Sequence, residues 1–224
     1  RQFSNEARCY LSTVFLATFK LLLHHYARQD DIIVGMPLDE RAVGEDQSEI
    51  GFFINMLPIR SRLSSNTSFN EFLKQVQKKI VTCISNSYPF PLLVRELTTQ
   101  LSQSHSPIYQ VGFFYQNFSG QEESQHLNSD SFDLIRDISQ EGEYELALEV
   151  FEQGAGFLLN FKYDPGLYNE STVARLGQHF CGLIQEVLKT PGNELQDFSL
   201  ISEIEQKSLV FDWNQTRQNY PKDR

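Results

Sequence analysis

Cysteine is scarce, with Cys9, Cys83 and Cys181 the whole supply. They lie far apart, are odd in number and show no CxxC or CxxH spacing, which argues against a zinc site and against a disulfide framework. A reducing cytoplasm suits such a chain. Basic charge is also short: 19 Lys and Arg stand against 29 Asp and Glu, for a formal net charge of -10. No stretch gathers enough cations to neutralise a run of phosphates, so nucleic acid is not an expected partner. No segment holds the roughly 18 uninterrupted apolar residues of a membrane span, and no membrane is expected either. The start, RQFSNEARCY, is not a signal peptide and lacks an initiating Met. With the abrupt end NYPKDR, this fits a piece of a longer polypeptide or a chain with processed termini. Catalytic spacings are missing as well: there is no GxSxG elbow, no Gly-rich phosphate loop and no HExxH.

What is present is a foldable chain. Its 224 residues are 40% hydrophobic and 12% aromatic, too apolar for disorder and long enough for one sizeable core. From Asn5 to about Tyr26, Tyr10, Leu11, Val14, Phe15, Leu21 and Leu22 recur at helical spacing, which predicts one long, largely buried helix. DDIIVGMP and the segment from Gly51 to Leu63 read as strands, the second ending in Leu57 and Ile59 alternating with Arg60 and Arg62. Ser68 and Glu71 form a capping box before Phe69, Phe72, Leu73, Val76 and Ile80, a strong helix signature. Pro89 and Pro91 precede a short helix, LLVRELTTQL. PIYQVGFFYQNF, YELALEVFEQ and GFLLNFKYD read as strands, the last two joined as a hairpin at Gly154-Ala155-Gly156. The polar stretch SGQEESQHLNSDS between them reads as a surface loop. Val173, Leu176, Phe180, Ile184 and Val187 mark a long helix stopped by Pro191-Gly192, and Ser202 with Glu205 suggests a second capping box. The order predicts an α/β fold with a mixed sheet flanked by helices.

The histidines invite a catalytic reading. LLLHHYARQDD approaches HHxxxDG, in which the second imidazole serves as general base. From His25, however, Gln29 falls where Asp is required and Asp30 where Gly is required. Both rings sit in a last helical turn, where cations meet the negative end of the helix dipole, so the residues are read as a helix end. His126 and Asp130 form the other HxxxD, in the polar loop and without the Gly. A solvated loop explains them better, because a general base needs a rigid, partly dry setting. His105 and His179 have no acid at short spacing and read as surface or boundary residues. No catalytic residue and no metal ligand is expected.

Several segments resemble nonribosomal peptide synthetase condensation domains. DDIIVGMPLDER is similar to D-x-x-V-G-x-P-x-x-x-R, through Asp31, Gly35, Pro37 and Arg41. EIGFFINMLPIR is similar to IGxFVNTLPLR, through Gly51, Phe53 and Asn55, with Met56 at the usual Thr. YPFPLLVREL resembles (H/N)QDYPFE, through Pro89 and Phe90, although Ser85-Asn86-Ser87 stands for HQD and Pro91 for Glu. SPIYQV, with Pro107, is similar to NPLFQV, and FKYDPGLYNESTVARLGQHF to a later motif. The exit LISEIEQKSLVFDWNQTRQNYP resembles passage into an adenylation domain.

The resemblance implies a lobe with the chloramphenicol acetyltransferase fold. It implies a C-terminal lobe over residues 1–212 and the start of a linker to adenylation over 213–224. Its partners would be the N-terminal lobe, which would carry HHxxxDG, peptidyl carrier proteins and the adenylation domain. No cofactor is expected on the chain itself; phosphopantetheine would arrive on the carriers. The implied reaction is attack of an acceptor amine on a donor thioester to form a peptide bond, with this lobe inactive alone. Phe52 and Phe53 are expected in the core. Asn55 either faces the tunnel, where its amide would meet a substrate carbonyl, or caps a local turn. Arg60 either pairs with an acid across the sheet or faces the cleft. A docking module and a complete small acyltransferase using His126 and Asp130 stand as alternatives.

Overall fold

The structure, a computed structural model, describes residues 1–40, 51–97, 108–116, 144–154 and 156–215. Arg41, His105, Pro107, His126 and Asp130, with the polar loop around them, lie outside the described residues.

The first apolar stretch forms two helices, α1 (Gln2–Glu6) and α2 (Leu11–Ala27), rather than one. Arg8 separates them with φ 51°, a left-handed conformation no helix can run through, and Tyr10 caps α2 from extended backbone. Helix α2 is apolar almost all round, and eleven consecutive residues, Thr13 to Leu23, are buried. It ends at Arg28, again at φ 51°.

Strands β1 (Asp31–Asp39), β2 (Ile54–Arg62), β3 (Val111–Gln116), β4 (Leu146–Gln153) and β5 (Gly156–Tyr163) make one mixed sheet in the order β2-β1-β3-β4-β5. β1 pairs antiparallel with β2, Asp31 opposite Arg62 and Asp39 opposite Ile54. The middle pairs β1–β3 and β3–β4 are parallel, and β4–β5 is antiparallel. Pro58 is tolerated because β2 is an edge strand, where a missing N–H costs no ladder bond. The β4–β5 turn is tight, with Gln153 opposite Gly156 and Gly154 at φ 54°.

Helix α3 (Phe69–Ser85) starts as expected: Ser68 Oγ accepts from Glu71 N–H, and the Glu71 carboxylate accepts from Ser68 N–H. Helices α4 (Phe90–Leu97), α5 (Glu170–Lys189) and α6 (Glu203–Lys207) follow, with a 3-10 turn at Leu195–Asp197 and a π turn at Ser208–Asp212. One core joins α2, α3 and α5 to the sheet. At its centre the Phe19 ring meets Phe113, Phe161 and Phe180 at centroid distances of 6.4, 6.3 and 6.3 Å.

Candidate functional site

The motif residues converge on one corner of the sheet, where β1 ends, β2 begins and α4 starts. Asn55 is its hub, 8% exposed. Its Nδ2 donates to Glu40 Oε1 at 2.9 Å, to Ser87 Oγ at 3.1 Å and to the Tyr88 carbonyl at 3.1 Å, while its Oδ1 accepts from Phe90 N–H at 3.1 Å. The orientation of the amide is fixed, because the Tyr88 carbonyl can only accept and the Phe90 N–H can only donate. Ser87 Oγ in turn donates to Glu40 Oε1 at 3.0 Å. Both N–H groups of Asn55, shared among three acceptors, and one Oδ1 lone pair are therefore engaged with protein, and the Phe90 bond satisfies a donor in the first turn of α4. Pro89 suits this position: its carbonyl accepts from Leu92 and Leu93 N–H, both at 3.0 Å.

Next to the hub, aromatic rings cover two glycines. Gly35 pairs with Gly112 across β1 and β3. A Cβ on Gly35 would fall 2.6 Å from Tyr109 Cζ, and one on Gly112 would fall 2.8 Å from Phe114 Cε2 and 3.3 Å from the Tyr144 ring. Tyr109 is stacked on Tyr144 at 6.1 Å and touches Phe90 at 5.2 Å. Glycine here leaves room for a ring against the backbone. Gly51 lies against Phe53 in the same manner, 2.9 Å from a Cβ to Cε2. Pro37 sits in the ladder opposite Met56. Phe53 is half-buried, but Phe52 is 88% exposed, which corrects the expectation of two core rings. The reason is local: the alternation of β2 buries Asn55, Leu57, Ile59 and Ser61, and carried back one step it puts Phe52 on the outer face with the exposed Ile54.

At the other end of the β1–β2 pair, Arg60 makes a bidentate ion pair with Asp31, Nε to Oδ1 at 2.8 Å and Nη2 to Oδ2 at 2.6 Å. Arg62 Nε adds a bond of 3.2 Å to Oδ2. The Arg60 hydrogen bonds hold the Asp31 carboxyl down to about 2, and Asp31 raises Arg60 in return.

Two polar sites escape sequence reading. Lys20, in the middle of α2, is 0% exposed. Its Nζ donates to the Ile59 carbonyl, to Ser61 Oγ at 3.1 Å and to the Ile32 carbonyl at 3.4 Å, and burial pushes its pKa down to about 7. His179 is the second: Nε2 lies 2.9 Å from Glu205 Oε2, and Nδ1 lies 2.7 Å from Tyr26 Oη. A carboxylate only accepts, so in the neutral ring Nε2–H donates to Glu205 and Nδ1 accepts from the Tyr26 hydroxyl. The order imitates nucleophile, base and orienting acid, but burial raises the Tyr26 phenol, the wrong direction for activation. The chain of bonds ties α6 to α2 and α5. It also explains why the expected Ser202–Glu205 capping box is only half made: Ser202 Oγ accepts from Glu205 N–H, but the carboxylate has turned to His179.

His24 and His25 occupy the last turn of α2. His24 Nδ1 donates to the Gln29 carbonyl at 2.8 Å, and Asp30 Oδ1 lies 3.5 Å away. Burial and the neighbouring His24 lower the pKa of His25. The described residues contain no group of three or more His, Cys, Asp or Glu placed to hold a metal, and no described helix is long and apolar enough to cross a membrane.

The architecture is that of solved condensation domains. The chain is similar, at TM-score 0.76 and 17% identity, to holo-AB3403, a four-domain nonribosomal peptide synthetase, over 92% of this chain and 17% of that one. It is similar at TM-score 0.71 and 18% identity to the condensation domain of the Monacolin K polyketide synthase MokA, over 87% of this chain and 45% of that one. Residues 1–210 match the condensation domain family, and the chain belongs to it. It is 38% identical over 218 residues to the polyketide synthase PksN of Bacillus subtilis (strain 168), and 30% identical over 219 residues to gramicidin S synthase 2 of Aneurinibacillus migulanus. These matches take in 95% and 97% of this chain but only 4% and 5% of the two relatives.

Proposed function

We propose that this chain is the C-terminal lobe of a condensation domain in a peptide-forming synthetase. In that role residues 1–212 build one wall of a tunnel, and 213–224 begin a linker towards an adenylation domain. The observation that carries the reading is the extent of the match: the family model covers residues 1–210, while the fold accounts for 45% of the solved MokA condensation domain. One lobe of two is the size this implies.

The reaction is attack of an acceptor aminoacyl nitrogen on the carbonyl carbon of a donor thioester. A C–N bond forms, the C–S bond breaks, the donor arm leaves as a thiol and the amine loses a proton. Both substrates travel on phosphopantetheine arms of carrier proteins. The base that takes the proton belongs to HHxxxDG, which these 224 residues do not contain. The lobe acts by shaping the cleft and the acceptor-side surface. Cytoplasmic synthesis of a secondary metabolite is the setting.

The test supplies the 224-residue chain with donor- and acceptor-loaded carrier proteins and follows peptide by mass spectrometry. No peptide forms from the chain alone, and peptide appears when the complementary lobe is added. Peptide from the chain alone overturns the proposal. A docking role for the C-terminal stretch fits the same fold, since Val210, Phe211 and Trp213 are 52%, 64% and 70% exposed.

A further inference from the structure

The engagement of Asn55 points away from substrate contact and towards control of a neighbouring element. Helix α4 has no buried residue, and Leu97 at its end is 65% exposed. Phe90, Leu92, Leu93 and Val94 are only half-buried, so burial fixes this helix less firmly than it fixes α2 or α3. Its first turn, by contrast, is bonded to a nearly buried amide, which is itself oriented by Glu40 from the end of β1 and by Ser87 from the α3–α4 connection. Both N–H groups of the amide and one of the two Oδ1 lone pairs go to protein at a residue 8% exposed, which leaves the side chain little to offer a ligand.

We infer that Asn55 is a positioning residue: its amide, held by Glu40 and Ser87, fixes the start of α4 and through Phe90 the aromatic cover of Tyr109 over Gly35. Glu40 is the acid of the arrangement. It accepts from both Asn55 Nδ2 and Ser87 Oγ, so the carboxylate aims the amide's donors and leaves Oδ1 for Phe90. The exposed side of α4 is then a surface whose placement, rather than its chemistry, depends on Asn55. The consequence for turnover rests on the condensation reading; the structural consequence does not.

Asn55→Asp keeps the shape, removes the donors and sets a second carboxylate beside Glu40. In this chain, amide hydrogen exchange over residues 90–97 accelerates about tenfold or more, while α3 and α5 keep their protection. Glu40→Gln in the Asn55→Asp background removes the repulsion and offers a donor to the introduced carboxylate, so exchange slows again. Ser87→Ala, on an exposed residue, folds in any case and gives a smaller acceleration at the same amides. Wild-type exchange over 90–97 in Asn55→Asp and Ser87→Ala overturns the inference, as does a double variant that exchanges no more slowly than Asn55→Asp. In the complete condensation domain, Asn55→Asp raises KM for carrier-borne substrate about tenfold with a smaller change in kcat, because α4 offers a surface rather than a reacting group. A fall in kcat with KM unchanged overturns the positioning role. A wild-type domain that forms no peptide refutes the functional reading instead, and the exchange experiment still decides the role of Asn55.

Discussion

The helix-covered face of the sheet and the α4 corner are held by different forces. On the helix face, α2 and α5 bury Phe15, Phe19 and Phe180 against Phe113 and Phe161, with Phe19, Phe113 and Phe180 all at 0% exposure. At the corner, α4 has no fully buried residue, and a hydrogen-bonded amide with a stack of rings on glycine helps set its position. Burial scales with area and tolerates small displacement, whereas hydrogen bonds fail over a few tenths of an ångström. The core should thus decide whether the chain folds, and the corner where α4 stands.

The largest effect belongs to the core. Phe180→Ala empties the meeting point of Phe15, Phe19 and Phe161 and should cost about 3–5 kcal/mol, read as a lowered urea midpoint. A loss below about 1 kcal/mol would mean that the helix face is not the source of stability.

Lys20 sharpens the contrast by placing a titrating group inside that same core. Its folded pKa of about 7 lies below the ordinary 10.5. Between those values the unfolded chain binds the proton and the native chain does not, so stability rises with pH, by about 1.4 kcal/mol per unit. Below about pH 7 both states are protonated and the gain is absent. The Cys9, Cys83 and Tyr26 groups, raised by burial, pull the opposite way at high pH. Urea midpoints at pH 7, 8 and 9 for the wild type and Lys20→Met isolate the lysine: the difference between the two proteins should change with pH. A constant difference would show that Nζ is charged in the core throughout.

How much of this the sequence discloses follows the range of the interactions. Helix α3 is legible because Ser68, Glu71 and the apolar stripe are local, and the β4–β5 hairpin because Gly154 and Gly156 flank its turn. The burial of Lys20 is not, since its partners Ile59 and Ser61 lie 39 and 41 residues away and a lysine in a helix reads as solvated. His179 lacks an acid nearby in sequence, and only the fold brings Glu205, 26 residues on, to its ring. Asn55 and Arg60 were legible as polar positions within a motif, but their partners at Glu40, Ser87 and Asp31 were not. Ser87 stands where the motif carries Asp, and the carboxylate that meets Asn55 comes instead from Glu40, just past the end of β1.

At the corner, Gly35→Ala tests whether rings on glycine matter as much as the amide. The new Cβ would overlap Tyr109, which cannot swing away between Phe90 and Tyr144, so overpacking should cost about 1–3 kcal/mol. With Tyr109→Ala in place the same substitution should cost much less. Additive costs in the double variant would place the strain elsewhere.

The smallest effect is expected where the geometry looks strongest. Arg60 grips Asp31 with two short bonds, yet the side chains are 55% and 37% exposed, and exposed pairs contribute little because water and salt screen them. Arg60→Ala should leave the urea midpoint at neutral pH nearly unchanged. It should instead move the Asp31 titration: the carboxyl, now down to about 2, rises towards the ordinary carboxylate range, held back only by Arg62. A depressed carboxyl adds stability above its unfolded pKa and loses it as pH falls through the folded one, so whatever small difference separates the variants is constant above about pH 4, shrinks between about pH 4 and pH 2, and is gone below that. Carbon-detected NMR of the Asp31 carboxyl follows the titration directly. An unmoved titration would mean that Arg62 rather than Arg60 holds the acid, and a large loss of stability at neutral pH would place this end of the β1–β2 pair with the core rather than with the surface.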